Sequence, residues 1–300
     1  MPYEFDNGQN FEETGAETGN EATPEAFQRL GDAHLAKGRI ELALERYRKA
    51  VALTDNGHEA ADSRSTLGDA YVYADQTVSA LKQYRRAIKQ SPRRAAPHFS
   101  LGELYRRYGK IQAALIEFRR AIECDPKNAF YHYRLGDCLA DAGYVPEAIG
   151  ELEAAVELGP SDGFYHFWLS DLYLMAGRLD DAVREMQQAA MFSPYDDYYN
   201  MRLGVLYMLS GSATDAATAV MHAINLTPHN AIYHCLLADI YSHNIGDHDM
   251  ASVHYAYAGE LDDYDREHVR RLRQLTAQNG NGHRNGNGHK PEFPGGKPAI

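Results

Sequence analysis

The stretch Tyr131-His132-Tyr133-Arg134-Leu135-Gly136-Asp137 sets an imidazole five residues before a carboxylate, the residue types of a general base and the group that orients it. His166 and Asp171 repeat the pair 34 residues on, and His98 and His234 extend the imidazole column in both directions. A second cluster, His243, Asp247, His248, Asp249 and His254, crowds the segment SHNIGDHDMASVH with ligand types that suit a divalent transition metal. No nucleophile elbow GxSxG, no phosphate cradle GxxxxGK[ST] and no HExxH accompanies them.

The column of histidines belongs to a longer pattern. A Leu-Gly pair stands at Leu30-Gly31, Leu67-Gly68, Leu101-Gly102, Leu135-Gly136 and Leu203-Gly204, with Leu169-Ser170 and Leu237-Ala238 as variants. After a first step of 37, every step is 34 residues. Alanine columns follow at Ala43, Ala80, Ala114, Ala148, Ala182, Ala216 and Ala251, and again seven residues beyond each. Five copies close with Pro92, Pro126, Pro160, Pro194 and Pro228. A period of this length marks a repeat architecture.

Each copy reads as two short antiparallel helices. In the fourth, Leu135, Cys138 and Leu139 recur at helical spacing and Gly143 ends the helix. Pro146 suits the first turn of the next helix, where its missing N–H is not needed. Ala148, Leu152 and Ala155 mark the buried stripe of that helix, and Gly159-Pro160 stops it. Small residues recur because two backbones approach closely at each crossing, and one hairpin alone cannot bury its apolar face. Equivalent residues of neighbouring hairpins then lie ~8–10 Å apart. Two nitrogens on one metal lie within roughly 4 Å of each other. His98, His132, His166 and His234 are therefore expected to be packing residues with local polar partners. In the second cluster an aspartate capping the next helix explains the same residues. Of these, His243, Asp247, His248 and His254 are the ligands to examine if any metal is held.

This pattern resembles the tetratricopeptide repeat family over residues 24–262. The resemblance implies an all-α, α-α solenoid: a right-handed superhelix of about seven hairpins (24–57, 61–94, 95–128, 129–162, 163–196, 197–230 and 231–262). Residues 264–277, with Val269, Leu272 and Leu275 on one face, read as a C-terminal capping helix. The acidic stretch 1–23 and the Gly/Asn/Pro-rich stretch 278–300 are expected to be disordered. The departures are His or Asn where the family often has Trp, and one extra residue near Gly246.

The resemblance also implies a concave groove in which extended peptides bind. The acidic column after the Leu-Gly pair would edge it, with Glu103, Asp137, Asp171 and Asp239 as candidates. One turn earlier stand Phe99, Tyr133, Phe167 and Met201, and three residues before those Phe130, Phe164 and Tyr198. Large apolar side chains on such a face serve ligands more often than solvent. Some relatives hold a terminal carboxylate with Lys, Arg and Asn. The matching positions here, Gln28, Asp32, Thr66, Ala96 and Ser100, lack those bases and asparagines.

Composition bounds the rest. The 300 residues are 44% hydrophobic and 24% charged, ample for a core. No apolar run approaches the ~18 residues of a membrane span. The N-terminus MPYEFDNGQNFEETG lacks a basic-then-apolar leader. Three separated cysteines without CxxC spacing fit a reducing, cytoplasmic setting. The net charge of −12 hides an asymmetry: residues 78–136 hold thirteen bases against four acids, and residues 137–200 thirteen acids against two bases. Lys82, Arg85, Arg86, Lys89, Arg119 and Arg120 fall on second helices, a solvated convex face, whereas Arg106 and Arg107 end a first helix and reach toward the concave side. The expected function is a non-enzymatic scaffold or adaptor, without cofactor, that binds an extended basic or aromatic-bearing segment. The alternatives are self-assembly of basic copies two and three against acidic copies four to six, and, less favoured in so acidic a chain, RNA binding.

Overall fold

The computed structural model describes residues 23–54 and 57–261. Among them lie fourteen α-helices in two compact units, one running to Ala176 and one from Gly177. In the first, α1 (Pro24–Ala36) pairs with α2 (Ile40–Leu53), α3 (His58–Tyr73) with α4 (Thr77–Gln90), α5 (Ala95–Arg107) with α6 (Ile111–Cys124), and α7 (Ala129–Asp141) with α8 (Val145–Leu158). Helix α9 (Gly163–Met175) closes this unit on α8. In the second, α10 (Leu179–Phe192) packs on α11 (Asp197–Leu209), which pairs with α12 (Ala213–Leu226). Then α13 (Ala231–Asp239) runs into a π-helical turn, Ile240–Ile245, before α14 (His248–Leu261). The proposed capping helix 264–277, residues 1–22 of the acidic N-terminal stretch and the whole of 278–300 lie outside the described residues.

Each hairpin is fixed by a crossing too tight for a side chain. A Cβ on Gly68 would lie 2.4 Å from the ring of Tyr84, itself only 1% exposed. The same holds for Gly31 against Tyr47, Gly102 against Phe118, Gly136 against Leu152 and Gly204 against Val220. Glycine is thus matched to one large residue sixteen positions later. The alanine columns complete the crossing, Ala43, Ala80, Ala114 and Ala148 having no exposed surface. Successive hairpins in the first unit share a core in which Leu44, Tyr47, Leu67, Tyr71, Tyr84 and Leu101 interlock.

The turns repeat as well. Gly143 ends α7 at φ +83, a left-handed conformation that glycine enters without strain. The side chains of Asn128, Asp162, Asp196 and Asn230 accept hydrogen bonds from first-turn N–H groups of α7, α9, α11 and α13. The extra residue of the seventh copy is absorbed as the π-helical turn, which ends at Gly246 with φ +85.

These contacts predict opposite effects for two Gly→Ala changes. Gly68→Ala forces the Cβ against Tyr84 and should cost about 1–3 kcal/mol. At Gly150, inside α8, a Cβ meets nothing within 4 Å, so Gly150→Ala should stabilise by about 0.5–1 kcal/mol. Thermal denaturation followed by circular dichroism distinguishes them.

Candidate functional site

In the first unit, α5, α7 and α9 bring eight aromatic side chains into one run. Phe99 lies 5.6 Å from Phe130 and 4.9 Å from Tyr131, ring centre to ring centre. Phe130 meets Tyr133 at 5.8 Å, and Tyr133 meets Phe164 edge-on at 4.8 Å and Trp168 at 5.8 Å. Tyr165 touches Tyr133 and Phe164, while Phe167 packs on Trp168 at 5.5 Å. Phe130 and Phe164 are 44% and 36% exposed, whereas Tyr133 and Phe167 are 6% and 9%. The anticipated contact residues thus divide into an outer pair and an inner pair that holds it up. Burial pushes the Tyr133 hydroxyl above its ordinary pKa, with the Asp137 charge adding to the shift.

Trp168, the single tryptophan of the chain, was not among the anticipated residues. It stands just before the Leu169-Ser170 pair, in a column that reads Arg29, Thr66, Ser100, Arg134, Trp168, Arg202 and Leu236. Arginine stands in that column at only three of seven copies and tryptophan once, so nothing periodic points to Trp168.

The arginine of that column changes the meaning of the acids. Arg134 Nε donates to Glu103 Oε1 at 2.7 Å, and its NH2 donates to Glu103 Oε2. Its NH1 reaches Asp137 Oδ2 at 3.3 Å. Arg106 bonds Asp137 at 2.8 Å and Asp141 at 2.9 Å. Burial pulls the Arg134 pKa down, but its hydrogen bonds to Glu103 and the charges of Glu103 and Asp137 outweigh this and hold it above the ordinary value. Bidentate, partly buried pairs of this kind are the strong ones.

Elsewhere the acidic column locks hairpins internally. Tyr47 donates to Asp32 at 2.5 Å and Tyr84 to Asp69 at 2.6 Å, each tyrosine fifteen residues after its aspartate. Tyr255 donates to Asp239, which is only 4% exposed. Burial raises the Asp69 pKa against the opposing bonds from Tyr84 and Ser100. Asp171 is half-buried. In the second unit Tyr198 is 46% exposed, and Met201 packs at the edge of the core around Val220, Tyr233 and Leu237. Cys138 is buried, and burial pushes its thiol up to about 11, so it behaves as a small apolar residue.

The histidine column joins each copy to the one before it. His98 Nδ1 lies 2.7 Å from Glu117 Oε2 and its Nε2 3.2 Å from the Pro92 carbonyl; His132 does the same with Glu151 at 2.8 Å and Pro126 at 3.2 Å. His166 reaches the Pro160 carbonyl at 3.1 Å. In the seventh copy the glutamate is replaced by His254, whose Nδ1 lies 3.1 Å from Nδ1 of His234. The rings are nearly coplanar, 25° apart, with centres 5.4 Å from each other, so the two nitrogens point at one another. An ion between them would need two bonds of ~2 Å in line. His243 Nδ1 bonds the Asp239 carbonyl, Asp247 caps α14 through the Met250 N–H, and His248 is exposed. Among the described residues no three His, Cys, Asp or Glu side chains gather as a metal would require, and no helix is long and apolar enough to cross a membrane.

A chain of 34-residue helical hairpins crossing at a glycine and closing at a proline is a helical-repeat protein. Models of the tetratricopeptide repeat match residues 24–56, 65–129 and 133–198, and the chain belongs to the tetratricopeptide repeat family. Comparison with curated proteins gives no match. PilF of Pseudomonas aeruginosa is similar in fold, 19% identical over 72% of this chain and 97% of its own, with a TM-score of 0.57. YrrB, described as a TPR protein with an unusual peptide-binding site, is 17% identical over 64% of this chain and 97% of its own, at 0.54. A tetratricopeptide repeat protein from Parabacteroides merdae, 17% identical, covers 85% of this chain and 98% of its own, also at 0.54.

The His234–His254 contact makes the last hairpin sensitive to acid. Burial, and then the neighbouring His234, lower the His254 pKa from its ordinary 6.5. The unfolded chain therefore binds that proton first. The stabilisation is present above about pH 6.5 and is lost as pH falls through the lower, folded value. Amide exchange in α13 and α14, corrected for intrinsic rate, should quicken relative to α5 and α6 between about pH 7.5 and 5.5. A His254→Gln variant, which can still donate to His234, should flatten that dependence.

Proposed function

We propose that the chain is a non-enzymatic interaction module that binds an extended protein segment on the first-helix face of its first unit. The observation that carries this reading is the unbroken aromatic run across α5, α7 and α9, with Phe130 and Phe164 exposed on rings that are themselves packed. Exposed aromatics on a rigid base give area at little entropic cost, the pattern of binding hot spots. Phe99, Tyr133, Phe167 and Trp168 hold the outer rings in place, and Glu103, Asp137 and Asp171 edge the face. YrrB, of the same fold, is described as having a peptide-binding site, a precedent in kind.

Phe130 and Phe164 are the informative positions, because truncating them leaves the core intact, whereas Tyr133→Ala and Phe167→Ala would open cavities. A crosslinking pull-down from the native cell with wild type and with Phe130→Ala/Phe164→Ala should lose partner capture in the variant. Equal capture of every partner by both would remove this face as the binding site.

A further inference from the structure

The face holds more charge than it offers. Both carboxylate oxygens of Glu103 are taken by Arg134, and Asp137 Oδ2 is shared by Arg134 and Arg106, which also holds Asp141. A lysine or arginine arriving on a ligand would compete with bonds of 2.7–2.9 Å to cations fixed in the same chain. Glu103, Asp137, Asp141 and Asp171 exceed Arg106 and Arg134 by two charges, which disfavours an acidic ligand too. What the face leaves uncovered is apolar, the rings of Phe130 and Phe164. A ligand that suits this face therefore brings apolar side chains, not cations.

Building on the reading of this face as a binding site, we infer that its ligand is an extended, uncharged protein segment that sets aromatic or large aliphatic side chains on Phe130 and Phe164. The carboxylates Glu103 and Asp137 act through the two arginines: they hold Arg134, whose guanidinium lies 5.8 Å from the Tyr133 ring, and keep the aromatic platform fixed. Charge selectivity for basic segments, which the acidic column alone would imply, is cancelled inside the chain.

The test is selection of a random dodecapeptide display library on the full-length chain, followed by titration of the winning peptides. Trp168, as the single tryptophan, reports occupancy of the site directly through its emission. The expected winners are rich in Phe, Tyr and Leu, poor in Lys and Arg, and shift Trp168 emission on binding. Their affinity should change by less than about twofold between about 50 and 500 mM salt. Winners rich in Lys and Arg, with affinity falling about tenfold or more over that salt range, overturn the inference while leaving the face as a site. Undiminished binding of the winners by Phe130→Ala/Phe164→Ala removes the site itself, and a library that yields no binder overturns both.

Discussion

Everything in this chain depends on how closely two helices cross within each hairpin. At the crossing one helix contributes only a backbone at glycine, and the other lays a large side chain across it: Tyr47, Tyr84, Phe118, Leu152 or Val220. Close packing then leaves no slack for other arrangements. The copy whose pair ends in Ala238 keeps a small residue there, and Ala238 has no exposed surface. Because the crossing sets where each second helix lies, it also sets which side chains of the first helices turn outward. The aromatic face is a consequence of that spacing, repeated.

Polar side chains follow the same geometry. Where the large residue at the crossing is tyrosine, its hydroxyl extends past the glycine to the next residue, and the aspartate there is consumed in a bond within one hairpin. Where it is Phe118 or Leu152, with no hydroxyl to give, Glu103 and Asp137 turn to arginines instead. One column of acids therefore has two structural roles, decided by a residue fifteen positions away. Neither role leaves the carboxylate waiting for a partner.

Much of this was legible in the residues. The period, the hairpins, the tetratricopeptide repeat family and the local partners of the histidines all follow from in-phase columns, because identical contacts recur once per copy. What escaped was whatever the copies do not share. Arg134 and Trp168 stand in a column that holds arginine in three copies of seven and tryptophan in one, too weak a recurrence to mark them. Their partners lie in neighbouring copies, Glu103 being 31 residues from Arg134, and such pairing needs the register of one hairpin on the next. Tyr133 and Phe167 share one column, but their burial is set by rings of adjacent helices that a single helix face does not reveal. The Asp–Tyr pairs were visible in principle as a fixed offset in three copies, the last lengthened by the residue that the π-helical turn absorbs.

The bonds that stitch one hairpin to the next reach no further than about one period, and several of them span nearly a full one. Arg94 to Asp62 spans 32 residues, Ser91 to the Gly57 carbonyl 34, Arg106 to Asp141 35, and Tyr233 to Asp197 36. Order can therefore spread from one copy to its neighbour without waiting for distant parts of the chain to meet. A ribosome making this protein releases each copy when the copy it must dock on has already emerged. Assembly can then keep pace with synthesis, one period at a time.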